Sequence, residues 1–314
     1  MAFEPVVLFF LLGVFAGLIG SDLKIPGSIY EALSIFLLLA IGLQGGVKLA
    51  EFELLELIVP ALIILAVGCI IPVAVFPVLQ ILGKLKRPDA ASIAAHYGSV
   101  SVVTFSVAVA LLQQESVDFE GYMIVFLVLL EIPALVIGVM LARYGVGTVR
   151  WGKLVHEVFF GKSILLLTGG LLIGFLAGAE GIKPLDILFF DLFKGVLALF
   201  LLEMGLVAAS RIAGLKTYGT FLVTFAIVTP VLSGVLGTIL GWMLGLSVGG
   251  TMLLATLYAS ASYIAAPAAM RIAVPQANPA ISIGAALGIT FPFNIFLGIP
   301  LYFWMARFIH SVGG

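Results

Sequence analysis

The sequence predicts an all-α integral membrane protein, with ten transmembrane helices arranged as two inverted repeats of five. Three observations predict this: the composition, the length of the apolar blocks, and a weak internal repeat with an odd number of spans in each half. Of 314 residues, 62% are hydrophobic and 10% are charged, and the mean hydropathy is +1.28. Soluble domains run near ~45–50% apolar and ~25% charged, so a water-facing surface cannot be covered here. The formal net charge of −1 provides no basic footprint for nucleic acid. The single cysteine, Cys69, lies in an apolar run and reads as a small buried hydrophobe, with no disulfide framework or metal cluster. The apolar residues come in unbroken blocks rather than in alternation, which excludes a β-barrel.

Charges and glycines divide the chain into spans at about 6–20, 28–47, 57–82, 90–112, 122–142, 163–179, 187–209, 218–244, 249–271 and 280–306. Each is near the ~17–25 apolar residues that a crossing requires. The opening Met-Ala-Phe-Glu-Pro lacks a basic segment, so Val6 onward reads as a first span rather than a removed signal. The loops set the orientation. Eleven lysines and arginines fall on one side: Lys24, Lys84, Lys86, Arg87, Arg143, Arg150, Lys153, Lys162, Arg211, Lys216 and Arg271. Only three fall on the other: Lys48, Lys183 and Arg307. The positive side is cytoplasmic. The expectation is therefore a plasma (inner) membrane protein with both termini outside and the Arg143–Lys162 loop inside.

The repeat is carried by ordered matches. Ile41-Gly42-Leu43 with Lys48-Leu49 matches Met204-Gly205-Leu206 with Arg211-Ile212, 163 residues on, and the same offset carries Tyr97-Gly98-Ser99 onto Ser260-Ala261-Ser262. Ala16-Gly17 resembles Ala177-Gly178 in the same order. The expected organisation is a first repeat over 1–145, a cytoplasmic linker over 146–162 and a second repeat over 163–314. Five spans per half place the second half upside down, which is the architecture of secondary transporters.

In such folds the substrate sits near the midplane between interrupted helices. Spans four and nine are the candidates. The first reads His96-Tyr97-Gly98-Ser99-Val100-Ser101-Val102-Val103-Thr104, and the second Ser260-Ala261-Ser262-Tyr263-Ile264-Ala265-Ala266-Pro267. Both are rich in small and hydroxyl residues. A helix N-terminus carries about half a positive charge, so two termini meeting make an anion cradle without an arginine. Hydroxyls at Ser99, Ser101, Thr104, Ser260 and Ser262 also suit a hard cation such as Na⁺. The bland alternative is that small residues only let helices pack closely. Intramembrane charges cost ~2.5–3.5 kcal/mol each on insertion scales unless solvated or paired. Glu131 and Glu203 are the candidates for a cation or proton site. Asp191 and Lys194, three apart, are expected to pair. His96 is expected either as a hydrogen-bonded structural imidazole or as a proton-sensitive gate.

These residues resemble the sodium-dependent bicarbonate transporter family of the cyanobacterial type. The resemblance rests on Ile41-Gly42-Leu43-Gln44-Gly45-Gly46, Gly98 to Thr104, Glu131-Ile-Pro-Ala-Leu-Val136, Met204-Gly205 and Ser210-Arg211-Ile212. It continues through Ala259 to Ser262, Pro267, Arg271, Pro275, Ala277-Asn278-Pro279, Gly284 and Ile299-Pro300-Leu301. It implies a core domain moving against a gate domain, a homotrimer, and bicarbonate held between the broken helices with Na⁺ beside it. Carried over, substrate contacts fall on Gly98, Ser99, Val100, Ser101, Ala261, Ser262 and Tyr263. The sodium ligands include Ser101, Thr104 and Ser262. This chain has Tyr263 where those members have an aspartate, and Glu131 where they have aspartate; Glu203 or Glu131 is expected to supply the missing charge. The Arg143–Lys162 loop is short where those members carry a longer cytoplasmic insertion; those members bind a small PII-like regulator on the cytoplasmic side, and the resemblance implies that partner less strongly for this chain.

The expectation is a Na⁺-coupled bicarbonate symporter embedded in the lipid bilayer, with no organic cofactor. Other readings remain open: a carrier of another small carboxylate or anion, proton-coupled or uncoupled, and an anion channel. The three histidines are far apart and there is no nucleotide-binding loop, so neither an enzyme nor a primary pump is expected.

Overall fold

The computed structural model describes residues 5–143, 152, 156, 160–212 and 219–312. The charged midpoint loop with Arg150 and Lys153, and Lys216, lie outside the described residues. The described chain is helical, with no strand among the described residues. Lipid leaves no other open choice, because each backbone N–H and C=O must be satisfied within its own segment.

The helices are α1 (Pro5–Leu18), α2 (Gly27–Leu49), α3 (Leu54–Ile81), α4 (Arg87–Gly98), α5 (Val102–Gln114) and α6 (Met123–Arg143). After the linker come α7 (Lys162–Ile182), α8 (Phe193–Ile212), α9 (Gly219–Met243), α10 (Val248–Ala259) and α11 (Ala265–Ala273). A last helical run, α12 (Pro279–Val312), contains two π-helical stretches, Ala286–Thr290 and Asn294–Gly298. Among the described residues, eight segments are long and apolar enough to cross a membrane, with α4 and α5 together making one of them; α1 and α10 are shorter apolar helices.

The helices group into two bodies. In the first, α1 packs along α8 and α2 along α7. Glycines set both seams. A Cβ on Gly13 would overlap the Leu202 carbonyl, and one on Gly205 the Phe10 carbonyl. In the other seam a Cβ on Gly42 would sit 2.5 Å from the Leu167 carbonyl and one on Gly170 2.9 Å from that of Leu39, while Gly46 and Gly174 meet Leu171 and Leu43 in the same way. Small residues let the backbones touch, which is how helices associate where the surroundings are as apolar as the side chains. The second body contains α3–α6 and α9–α12. Its interior is tighter: α4, α5 and α10 are buried along almost their whole lengths.

Polar contacts define the two ends of the molecule. At one end, Arg87 Nε donates to the Leu141 carbonyl, Arg143 donates to that of Ala273, and Lys162 pairs with Glu31 at 3.1 Å. At the other, Glu120 accepts from the Ser247 N–H and hydroxyl, Arg307 lies 3.7 Å from Glu115, and Lys48 sits over the Phe119 ring.

One expected contact is corrected. Asp191 and Lys194 form no ion pair, and both side chains are exposed. Asp191 ends a π-helical turn, Ile187–Asp191, and Lys194 is the second residue of the next helix, which begins at Phe193, so the i,i+3 geometry of one regular helix does not apply.

Candidate functional site

Spans four and nine are both interrupted, at Ser99–Ser101 and at Ser260–Ile264. Each interruption begins in the same conformation: Ser99 has φ −90°, ψ 172°, and Ser260 has φ −82°, ψ 165°. This matches Ser99 with Ser260, 161 residues apart. Beyond the breaks the helices resume at Val102 and Ala265, 163 residues apart, because the second break is two residues longer. In the first break Ser101 caps α5, its hydroxyl accepting from the Thr104 N–H at 3.2 Å. In the second, Ser262 Oγ accepts from the Ala266 N–H at 3.2 Å, and Pro267 occupies the first turn of α11, where its missing N–H costs nothing.

The two breaks are bonded to each other. The Ser262 N–H donates to the His96 carbonyl at 2.8 Å, and the Ser101 N–H donates to Ser260 Oγ at 2.9 Å. Flanking groups brace them. Asn294 Nδ2 donates to the orphan carbonyl of Ala259 and is itself held by the Tyr302 hydroxyl. Tyr97 and Thr290 share a hydrogen bond, with Thr290 donating onward to the Ala226 carbonyl. Asn294 and Thr290 were not singled out from the sequence. Their only signal was polarity inside a long apolar run.

A small cleft lies at the crossing, bounded by Ser101, Glu131, Ser262 and Tyr263, with Leu38 of α2 and Ser163 of α7 facing them from the other body. Its volume is about 10 Å³, room for roughly one water by that measure. Val100 also lines it, and Ala261 is buried alongside in the break. Ser99 is buried and donates to the Glu131 carbonyl at 3.3 Å. Glu131 is 2% exposed, and its Oε2 has no partner among the described residues. The Tyr263 hydroxyl lies beside Ser101 without a well-formed hydrogen bond, and its ring meets Phe291 edge-on at 5.2 Å.

The hydroxyl chemistry is directional. Ser101 Oγ accepts from both the Thr104 N–H and the Thr104 hydroxyl, which occupies its two lone pairs. In this arrangement the Ser101 O–H is a donor, and Thr104 retains the free lone pairs. With the Ser262 hydroxyl, whose oxygen accepts from the Ala266 N–H, this gives one side of the cleft two hydroxyl donors, and Glu131 supplies its carboxylate. The arrangement suits a small oxyanion beside a positive charge.

Two sequence candidates sit differently from their expected roles. Gly98 is at the end of α4 with no positive φ. It is glycine because a Cβ there would press on the Pro72 ring of α3, at 2.7 Å. Glu203 does not reach the cleft. It lies on α8, within reach of the Ile25 N–H and beside Tyr30, so it belongs to the first body.

Larger cavities lie on either side of the cleft. One, of about 230 Å³, is at the Lys162 end and shares Ser163 and Ile264 with the cleft. The other, of about 310 Å³, is at the Lys48 end, lined by Ile41, Gln44, Phe105 and Ser106. It is separated from the cleft by the step from Leu38 to Ile41 on α2 and from Val102 to Phe105 on α5, about one helical turn or ~5 Å.

The sequence pattern of the Na⁺-dependent bicarbonate transporter superfamily matches residues 5–307. The chain belongs to that superfamily. The match covers both breaks, both glycine seams and, among the described residues, the eight long helices except the last five residues of α12. No curated protein matches the chain. As a multi-pass membrane protein of this superfamily, it belongs with transporters.

Proposed function

We propose that this protein is a secondary transporter importing bicarbonate with Na⁺ by alternating access. The observation that carries the reading is the bonded crossing of two broken helices, with a donor-rich cleft and a lone carboxylate between two vestibules. The bicarbonate oxygens lie against the Ser101 and Ser262 hydroxyls and the N–H groups of α5 and α11. Na⁺ lies toward Glu131 and Thr104, where Glu131 replaces the charge lost at Tyr263. Ten spans in two inverted repeats are supported by the paired seams: Gly13 against Gly205 has its counterpart in Gly170 against Gly42, with the two halves exchanged. The first body acts as a gate and the second as a moving core, and the gate is where a homotrimer forms.

The excess of positive charge around Arg87, Arg143 and Lys162 supports a cytoplasmic assignment for that end. The cleft adjoins the vestibule there, so the state described is closed to the outside by about one helical turn.

One observation favours a second reading, proton coupling. Glu131 Oε2 has no partner among the described residues, and a protonated carboxyl presents a further donor to an anion instead of repelling it. Uptake of radiolabelled bicarbonate into proteoliposomes under a Na⁺ gradient, a proton gradient or neither separates the readings. Accumulation that follows Na⁺ supports symport with Na⁺, and accumulation that follows only the proton gradient supports the second reading. Uptake that follows neither gradient overturns coupled transport.

A further inference from the structure

Behind the crossing, on the Arg143 end of the second body, lies a separate cavity of about 130 Å³. It is roughly ten times the ~10–15 Å³ that one water requires, so it has room for a ligand of several atoms. His96, Ser92, Ser282 and Arg271 line it, between the rings of Pro267 and Pro279. It shares no lining residue with the transport cleft.

His96 is fully buried, and its ring is fixed on one side. Nδ1 lies 2.7 Å from the Ser92 carbonyl, which requires Nδ1–H to be the donor. Nε2 is then an acceptor in the neutral ring, and it has no partner among the described residues. A buried polar atom left unpaired is unfavourable, so a group that donates to Nε2 is favoured where His96 lines the cavity. Ser92 and Ser282 are joined by a long bond of 3.3 Å, and Ser282 reaches the Pro279 carbonyl only at 3.4 Å, so both hydroxyls can turn to a closer acceptor. Arg271 is exposed at the rim and makes no ion pair among the described residues. The nearest acid along α4, Asp89, is engaged by the Asn278 N–H at 2.7 Å.

One acceptor, two hydroxyls and a guanidinium are the complement of an anion that also carries an O–H. We propose that this cavity is a second binding site, for a small protonated oxyanion of the bicarbonate or monohydrogen phosphate type. Its O–H donates to His96 Nε2, its other oxygens accept from Ser92 and Ser282, and Arg271 balances its charge. The site goes beyond the transport reading and does not depend on it. Its consequence is regulatory, because His96 is also the residue whose carbonyl holds Ser262. An occupant joins α4 to α11 and α12 behind that bond and holds the crossing in its present arrangement.

Calorimetric titration of the full chain in lipid nanodiscs tests this, with bicarbonate and inorganic phosphate in separate arms and chloride as competitor. The wild type should bind one oxyanion more than Arg271→Gln or Ser282→Ala, with that site weakened by about tenfold or more, while transport by both variants continues. The stronger of the two arms identifies the oxyanion. Stoichiometry unchanged by both variants, or displacement by chloride as readily as by bicarbonate, overturns the proposal, since chloride offers no O–H and the cavity would then hold water or an indifferent anion. A chain that binds here yet moves no bicarbonate overturns the transport reading alone.

Discussion

The Ser262 N–H and the His96 carbonyl meet at 2.8 Å, joining the break of one half of the chain to the helix that ends at the break of the other. Ser101 and Ser260 make the reciprocal contact. Neither bond belongs to a regular helix. Together they satisfy groups that an interrupted helix leaves open in a medium where water is scarce. They also make the geometry of one break depend on the other, so a substrate lodged between them is held by both halves.

Ser260→Ala removes the acceptor for the Ser101 N–H, which is then buried and unpaired at ~1–3 kcal/mol. The expected outcome is a lower melting temperature in detergent and uptake reduced by about tenfold or more. Thermal unfolding and transport measured on one preparation check this, and wild-type values for both would show that the contact carries nothing.

The glycine seams make a stability prediction. Gly46→Ala places a methyl on the Leu171 carbonyl, and Gly205→Ala does the same at Phe10. Overpacking of this kind costs ~1–3 kcal/mol. Gly195 meets nothing within 4 Å, so Gly195→Ala is the neutral control. Equal melting temperatures for all three variants would contradict the close backbone contact.

Gly98 separates two accounts of one residue. If Pro72 is the reason for glycine, Gly98→Ala should lose stability, and Pro72→Ala in the same chain should restore part of it. A double-mutant cycle of unfolding free energies checks the coupling. Additive effects would instead leave close approach of a substrate as the reason, which is what the sequence suggested.

Much of the architecture was legible in the sequence because bilayer constraints are written in composition. The expected spans overlap the helices, eight of the described segments being long and apolar enough to cross a membrane, and both interruptions were visible as clusters of Gly, Ser and Pro. What was not legible depends on tertiary neighbours. Nothing in the local sequence tells that Pro72 faces Gly98, or that Ser101 Oγ spends both lone pairs on Thr104. The expected pairing of Asp191 with Lys194 presumed a regular helix, and the π-helical turn displaced it. Glu203 is expected to supply charge at the cation site, yet its helix belongs to the other body.

Glu131 and Glu203 should therefore differ. Glu131→Gln is expected to weaken Na⁺ dependence by about tenfold or more, equivalent to at least ~1.4 kcal/mol, and Tyr263→Asp in that background should restore part of it. Glu203→Gln should leave the Na⁺ dependence as it was. Initial uptake rates across a Na⁺ series decide this, and the opposite ranking of the two glutamates would remove Glu131 from the cation site.

The orientation is tested by labelling in intact cells, in a Cys69→Ala background. Ser116→Cys, at the Lys48 end, should react with an impermeant thiol reagent, and Lys84→Cys, at the Arg143 end, should not. The reverse pattern would invert the assignment of the two faces.

The central claim is that the substrate lies between the two breaks, and a cryo-EM structure of the protein with bicarbonate and Na⁺ tests it most directly. The account predicts new density in the space bounded by Ser101, Glu131, Ser262 and Tyr263, with the two bodies moved apart to admit it. A cleft that stays closed and empty while transported bicarbonate is found elsewhere along the pathway, such as beside Lys48, would contradict it.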